Sequence, residues 1–248
     1  MNTEKTPEEK AGKGIVAGLI VAAGSSRRMG FDKITAPLCG RPLIGWSLAA
    51  FEACPEISFA VLVCPGERVE EFEALAAPFG KILRVVGGGN ERVESVGNGL
   101  EAMESLCPDF VAVHDAARPL ISPSLIASVV AAARSYGSAV AAEPVSDTLH
   151  RSEGSASLVE TVSRTGLWAM QTPQVARFSE LRSALGVMRL TAHHVTDEIS
   201  ALIAVGHHPH AVSHGGLNFK VTIPRDLELA AAVIGQRTGE GWLRMPET

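Results

Sequence analysis

The sequence is poor in aromatic residues and in cysteine, and it has no excess of positive charge. Only 5% of its 248 residues are aromatic, with a single tyrosine, so the core must be built mainly from alanine, valine, leucine and isoleucine. Small aliphatic side chains suit parallel strands that are covered by helices on both faces. Hydrophobic residues make up 46% and charged residues 20%, which is typical of a globular chain and excludes a disordered or fibrous one.

The charge balance and the cysteines exclude further classes of protein. The 22 basic and 27 acidic residues give a net charge of −5, which argues against a general binder of nucleic acid or anionic membranes. The four cysteines form no CxxC pair, which predicts reduced thiols in a cytoplasmic protein. The apolar run from Ile15 to Ala23 is too short to cross a bilayer. We expect a disordered tail over residues 1–13 and a single domain over residues 14–240.

Short β-branched runs alternate with helical stretches, a pattern that predicts an α/β fold with a mostly parallel sheet. Buried strands are expected over Ile15 to Val21, Phe59 to Val63, Ile82 to Val86, Phe110 to Val113 and Ala139 to Ala142. Helices are expected from Pro42, from Ser122 to Gly137, from a cap at Thr196 through Ala204, and from Pro224, with a last strand over 218–222.

The alternation breaks after Ala142. Two β-prone runs, Val145 to His150 and Leu158 to Ser163, flank a polar centre, which predicts a β-hairpin arm over about residues 143–166. A two-stranded ribbon is marginally stable in water, so we expect a partner subunit to cover the arm in a homodimer.

Three loops that follow predicted strands carry candidate chemistry. The first, AAGSSRRMG at 22–30, offers backbone N–H groups and the positive charges of Arg27, Arg28 and Lys33 to phosphate oxygens. It matches neither the GxGxxG fingerprint nor the P-loop pattern. A solvated basic turn is the alternative interpretation of this segment.

The other two loops fit a nucleotide. Three glycines at 87–89 allow close approach to a flat ligand, and Asn90 and Ser95 carry donors and acceptors for a base edge. A mobile turn is the alternative there. In HDAARP at 114–119, Asp115 could hold a ribose hydroxyl or a Mg²⁺ ion, or could simply pair with Arg118.

The order of the motifs resembles the family of 2-C-methyl-D-erythritol 4-phosphate cytidylyltransferases. The resemblance covers residues 15 to 235 and rests on AAGSSRRM, CGRP, GGNERVESV, VHDAARP, Asp147-Thr148, RTGLW, TPQ, TDE and NFKVT. It implies a Rossmann-like three-layer sandwich of the nucleotide-diphospho-sugar transferase type, with homodimers joined by a β-arm. It also implies transfer of CMP from CTP to methylerythritol phosphate in non-mevalonate isoprenoid biosynthesis, with release of pyrophosphate and with Mg²⁺ or another divalent cation.

The resemblance further implies a role for each matching residue. The CTP phosphates would be wrapped by Ala22, Ala23, Gly24 and Ser25, cytosine would be recognised by Gly89, Asn90 and Ser95, and the ribose would be contacted by Asp115 and Ala116. Asp115 is also the candidate metal ligand. Charge at the α-phosphate would be neutralised by Arg28, Lys33 and Lys220. Methylerythritol phosphate would be held by Lys220, Thr196, Thr148 and Arg164, with Thr148 and Arg164 contributed by the partner's arm.

Two alternative functions remain open on the sequence alone. A ribitol 5-phosphate cytidylyltransferase would share the nucleotide half and differ in the acceptor pocket, and a noncatalytic nucleotide-binding dimer would keep only the fold. The failed GxGxxG fingerprint disfavours a nicotinamide dehydrogenase. The histidines His207, His208, His210 and His214 lack a carboxylate or cysteine at useful spacing, which favours an exposed edge over a metal site.

Overall fold

The structure is a computed structural model that describes residues 14–24, 29–154, 156–191 and 195–237. The tail expected over residues 1–13 lies outside these ranges.

Strands and helices alternate along most of the chain. The strands are β1 (Val16–Val21), β2 (Pro37–Leu38), β3 (Arg41–Pro42), β4 (Phe59–Cys64), β5 (Ile82–Gly87), β6 (Phe110–Asp115), β7 (Ser138–Pro144), β8 (Leu149–Ser152), β9 (Leu158–Val162), β10 (Trp168–Arg177) and β11 (His210–Val212). The helices are α1 (Leu43–Ala53), α2 (Val69–Ala76), α3 (Arg92–Met103), α4 (Pro123–Tyr136), α5 (Phe178–Leu190), α6 (Glu198–Ala204) and α7 (Pro224–Arg237).

The main sheet has seven strands in the order β11-β7-β10-β6-β1-β4-β5. All neighbouring pairs are parallel except those of β10, which runs antiparallel between β7 and β6. The predicted mostly parallel sheet is therefore confirmed. The carboxyl ends of β1, β4, β5 and β6 share one edge of the sheet, where open α/β sheets bind their ligands.

Helices cover both faces of this sheet. Side chains alternate along β1, so that Val16 and Ile20 pack with α1, α2 and α4, whereas Ala17 and Leu19 pack with α3, α5 and α6. Helix α3 lies very close to the sheet, because a Cβ added at Gly99 would stand 2.3 Å from Leu19 Cδ1. The three-layer architecture follows from these two buried faces.

Capping explains the ends of α4, which the sequence predicted. The Ser122 side chain accepts a hydrogen bond from the Leu125 N–H at 3.1 Å, and Gly137 ends the helix at a φ of 85°. The helix expected from Pro224 is also present, and α1 begins one residue after Pro42.

Two predictions about the last third of the chain are wrong. Asp197, and not Thr196, caps α6, because its carboxylate accepts the Ser200 N–H at 2.8 Å. Residues 218–222 form no strand; Val221 instead donates one backbone hydrogen bond to Ala117 O at 2.8 Å and is buried against α7. The apolar residues of this segment pack against α7. An apolar residue at every second position does not reveal whether a segment is a strand or a loop that packs on a helix.

The predicted hairpin is present as the antiparallel pair of β8 and β9. Most of its residues are exposed, including Leu158 at 63% and Val159 at 53%. Among the described residues, no helix combines the length and apolar character needed to cross a membrane.

Candidate active site

A cleft of about 540 Å³ opens at the carboxyl edge of the sheet. The residues that the sequence singled out and that line it come from several separate segments of the chain: Ala22, Ala23, Gly24, Lys33, Gly89, Asn90, Ser95, Asp115 and Lys220. The convergence expected for loops that follow parallel strands is therefore observed. Ser25 and Arg28, the other residues assigned to the first loop, lie outside the described residues.

The first loop leaves β1 in contact with the second. The Ala22 N–H donates to Val63 O at 2.7 Å, which extends the sheet by one residue, so this amide already has a partner. A Cβ on Gly88 would lie 2.5 Å from Ala23 Cβ, so only glycine allows the two loops to touch. This contact between the first and second loops fixes the position of both loops at the mouth of the cleft.

The second loop is held by the first turn of α3. The Glu94 carboxylate accepts the N–H groups of Asn90 at 2.7 Å and Glu91 at 3.3 Å, as part of a capping box. The buried Ser95 hydroxyl donates to Glu91 O and accepts the Gly89 N–H, each at 3.1 Å. Ser95 thus braces this loop, while the Asn90 side chain stands exposed at the cleft.

The third loop is fixed from beneath by a buried histidine. The His114 ring contacts Thr172 Oγ1 through Nδ1 at 2.9 Å and Ser47 Oγ through Nε2 at 3.3 Å. Thr172 Oγ1 also accepts the Asp115 N–H at 3.1 Å, and Ser47 Oγ reaches Ala116 O. Burial lowers the pKa of His114 to about 3, so the ring is neutral and acts as a fixed part of the scaffold.

Asp115 is the centre of a charged network in the cleft. Its Oδ1 accepts from Arg92 Nε at 3.0 Å, and its Oδ2 accepts from Lys220 Nζ at 2.9 Å. Burial alone would raise the pKa of Asp115, but Arg92 and Lys220 stabilise the ionised form and hold that pKa well below its usual range. Arg118 Nε is 3.9 Å from Oδ2, so the simple Asp115–Arg118 pair is not the main contact of this carboxylate.

The network continues to a residue that the sequence reasoning missed. Both terminal nitrogens of Arg92 bind Glu198, at 2.6 and 2.9 Å, and only 3% of the Glu198 side chain is exposed. The two residues are 106 positions apart, so no spacing rule links them. The available signals were their places within the GGNER and TDE motifs.

Lys33 enters the cleft from the segment after the first loop. It is 8% exposed, and its Nζ donates to Val221 O at 2.9 Å. The loop over residues 218–222 therefore supplies both a carbonyl for Lys33 and the amine of Lys220, which brings two positive charges to one side of the cleft.

Four predicted site residues are not among the side chains that line the cleft. Ala116 is fully buried in the core, and its neighbour Ala117 lines the cleft instead. Thr148, Arg164 and Thr196 do not lie in the cleft lining either. Arg164 donates to Ser146 O at the base of the arm, and Thr196 Oγ1 contacts Ser200 Oγ at 3.1 Å.

The histidine-rich segment differs in part from the expected exposed edge. His210 is exposed and stacks on Tyr136 with ring centroids 4.0 Å apart. The side chain of His214 is only 11% exposed and contacts Gln171 Oε1 at 3.1 Å and Glu143 Oε1 at 3.4 Å. In the ranges that the structure describes, no cluster of three potential metal-binding side chains is found.

Known proteins resemble this chain in sequence and in fold. The sequence profile of the 2-C-methyl-D-erythritol 4-phosphate cytidylyltransferase family (IspD) matches residues 16–236. The enzyme of that name from Ralstonia nicotianae is 40% identical over 228 residues, which are 87% of this chain and 90% of the relative. The one from Pelotomaculum thermopropionicum is 39% identical, over 90% of this chain and 96% of the relative.

Solved structures agree with the sequence comparisons. The Thermus thermophilus enzyme of the same name has a TM-score of 0.71 at 30% identity, and the match covers 88% of this chain and 98% of that enzyme. The Francisella tularensis enzyme has a TM-score of 0.74 at 29% identity, and the match covers 87% of this chain and 98% of that enzyme.

Proposed function

The chain belongs to the 2-C-methyl-D-erythritol 4-phosphate cytidylyltransferase family, and from that membership we propose that its cleft transfers CMP from CTP to 2-C-methyl-D-erythritol 4-phosphate. The products are 4-diphosphocytidyl-2-C-methyl-D-erythritol and pyrophosphate, in the non-mevalonate route to isoprenoid precursors. The observation that carries the proposal is the meeting of Lys33, Lys220 and Asp115 with two glycine-containing loops in one cleft.

The reaction is an in-line substitution at the α-phosphorus of CTP. An oxygen of the acceptor phosphate forms the new P–O bond, and the bond from the α-phosphorus to the bridging oxygen breaks, so that pyrophosphate leaves with the electron pair. The attacking phosphate is already ionised at neutral pH, so no side-chain nucleophile or base is required. Positioning and charge stabilisation supply the catalysis.

The chain's own residues divide this work among the loops. Ala23 and Gly24 present backbone to the phosphates, Gly89 and Asn90 face the cytosine, and Asp115 orients the ribose. The amines of Lys33 and Lys220 neutralise charge at the α-phosphate, together with Arg28 from the first loop. The position of Ala23 and Gly24 in the cleft lining, directly after the end of β1, supports their phosphate role.

The donor set of the cleft fits a divalent cation that arrives with the nucleotide. Mg²⁺ is usually held by one or two carboxylates together with substrate phosphates, and Asp115 is a carboxylate at the cleft. When bound there, Mg²⁺ would supply Lewis-acid stabilisation of the phosphate oxygens. Because Arg92 and Lys220 already occupy both Asp115 oxygens, Asp115 would share one of them with the cation.

The acceptor site would be completed by a second copy of the chain. Thr148 and Arg164 belong to the arm and its base, and they do not line the cleft of their own chain. The exposed apolar side chains of β9 support burial of the arm against a partner. On this proposal the functional unit is a homodimer, each subunit a single domain over residues 14–240, and it works in the cytoplasm.

A pyrophosphate-release assay with CTP and Mg²⁺ tests the proposal, with methylerythritol phosphate and ribitol 5-phosphate offered separately. Turnover with methylerythritol phosphate is expected. Turnover with ribitol 5-phosphate alone would replace the acceptor, and CTP binding without turnover of either would favour the noncatalytic dimer.

A further inference from the structure

The side chain of Arg92 joins three segments that are far apart in sequence: its own helix α3, the end of β6 in the cleft, and the start of α6 behind it. It projects from the first turn of α3, and its three guanidinium nitrogens bind two carboxylates: Nε binds Asp115, and the terminal pair binds Glu198. Its side chain is 26% exposed, whereas those of Asp115 and Glu198 are 11% and 3% exposed. Arg92 is therefore held on its buried side by two directed ionic contacts.

Glu198 is itself a fixed anchor. It is the first residue of α6, and the preceding residue, Asp197, accepts from Gln174 Nε2 at 2.8 Å. Gln174 Oε1 accepts the Ile199 N–H at 3.1 Å, so the start of α6 is tied to β10 on both sides of Glu198. The position of the Arg92 guanidinium is thus fixed by Glu198, whose helix is anchored to the sheet, and not by solvent.

The opposite end of this chain of contacts is the amine of Lys220. Asp115 gives one oxygen to Arg92 and the other to Lys220, so the contacts run from Glu198 through Arg92 and Asp115 to Lys220 Nζ. The Lys220 side chain is 36% exposed and lines the cleft, so Asp115 is the buried group against which its amine is fixed.

We propose that Arg92 is a positioning residue that places the Lys220 amine over the reacting phosphates by fixing the carboxylate of Asp115. The inference rests on the proposed function, since it is Lys220 that would contact those phosphates. Only the planar, forked guanidinium of arginine can bind Glu198 with two nitrogens and Asp115 with the third; the single amine of lysine cannot.

A double-mutant cycle between Arg92→Lys and Lys220→Ala tests the proposal. In the wild-type background, Arg92→Lys should lower kcat by about tenfold and weaken CTP binding several-fold, because the charge remains but the fork is lost. In the Lys220→Ala background, the same substitution should change kcat by less than about twofold, because the residue through which Arg92 acts on the phosphates is absent. It should also weaken CTP binding less than it does in the wild-type background, because only the effect that runs through Asp115 to the ribose remains. Independent, multiplicative effects would overturn the proposal.

Glu198→Gln provides a second variant that keeps Arg92 and the shape of the side chain. It should lower kcat by about threefold through the weakened grip on the guanidinium, and this loss should also vanish in the Lys220→Ala background. If Arg92→Lys does not fold, this second cycle decides the question by the same criterion.

The ion pair of Arg134 with Glu56 is a matched control, since its side chains are 24% and 18% exposed and lie outside the cleft lining. Arg134→Lys and Glu56→Gln should lower the melting temperature about as much as the Arg92 and Glu198 variants and leave kcat unchanged. Equal kcat losses in both pairs would reduce Arg92 to a structural role. The CTP Kd is measured without acceptor, so the cycle remains decisive even if no acceptor is turned over.

Discussion

The cleft and the hairpin arm are built on opposite principles. In the cleft, the charged side chains are largely buried and are held by partners from distant segments, as Asp115 is by Arg92 and Lys220. In the arm, most side chains are exposed, and the ion pair of Arg151 with Glu160 has side chains that are 63% and 57% exposed. The cleft is therefore organised within one chain, whereas the arm lacks the buried contacts that would give it a fixed place.

This difference divides the predicted site residues into two groups, although the sequence motifs assigned them all to one site. Lys33 and Lys220 are already in the cleft of the isolated chain, but Thr148 and Arg164 are not. Preorganised charges stabilise a transition state without reorganisation, whereas in the proposed dimer the arm residues would contribute only after the arm docks. The comparison predicts that changes in the cleft affect kcat, and changes in the arm affect acceptor binding and assembly.

The largest expected effect comes from Lys220→Ala. Removal of this amine should lower kcat on the order of a hundredfold or more, as for loss of one transition-state donor, while the protein stays folded because Asp115 keeps its contact with Arg92. Steady-state kinetics and a melting curve check both parts. Lys81→Ala is the control, since Lys81 Nζ donates to Cys54 O outside the cleft lining. A near-normal kcat would remove Lys220 from the chemistry.

Arg164→Ala tests the arm, and it should change a KM and not kcat. We expect the KM for methylerythritol phosphate to rise about tenfold and the KM for CTP to stay constant, because the arm completes only the acceptor site. Mixed dimers sharpen the test. Subunits with Arg164→Ala and subunits with Lys220→Ala should regain activity when combined, because one intact cleft then meets one intact arm. A lack of complementation would contradict a site shared between subunits.

The buried histidine beneath the cleft, His114, should make the stability of the fold depend on pH. Its pKa of about 3 lies below the ordinary value of 6.5, so between these values the unfolded chain binds a proton that the folded chain excludes. Stability should therefore fall as the pH drops below 6.5, on the order of 1 kcal/mol per pH unit. Urea unfolding between about pH 6 and pH 5 should show this slope in the wild type and a smaller one in His114→Asn. An identical slope in His114→Asn and in the wild type would show that His114 does not stay neutral in the fold.

The smallest expected effect is that of Arg151→Ala on the arm. An ion pair this exposed typically contributes well under about 1 kcal/mol, so the free energy of unfolding should change by no more than about 0.5 kcal/mol. Urea denaturation measures the difference. A larger loss would mean that the arm is tied into the fold more tightly than its exposure indicates.

The parts of the site that lie close to strand ends were predictable from the sequence. Gly24, Gly89 and Asp115 each lie at or just beyond the end of a short β-branched run, and the geometry of a parallel sheet brings such positions together whatever their distance along the chain. The central strands and the hairpin were also predictable, because the spacing of apolar residues and the turn residues that bound each run are both visible within a short stretch of sequence.

Local patterns could not predict contacts that depend on the finished fold. The pairing of Arg92 with Glu198 requires α3 and α6 to lie on the same face of the sheet, and neither residue marks this in its own segment. Thr196 and Asp197 are both good capping residues, and tertiary geometry selected the second one. The assignment of the exposed arm to a dimer stays a prediction, because the surface that would cover the arm belongs to a second chain.

The strand β10 sets where this protein can tolerate insertions and deletions. Its first residue, Trp168, is 38% exposed beside the arm, whereas Thr172 and Gln174 further along are buried and contact the cleft scaffold. The pairing of β10 with β7 already has a register irregularity between Met170 and Gln174, and one residue added after it would turn the later side chains to the opposite face of the sheet. Strands β8 and β9 form a separate two-stranded sheet, so a change in length between them leaves the register of the main sheet unaltered. Changes in length should therefore accumulate at the tip of the arm and be excluded from β10, which carries the Thr172 hydroxyl that fixes Asp115.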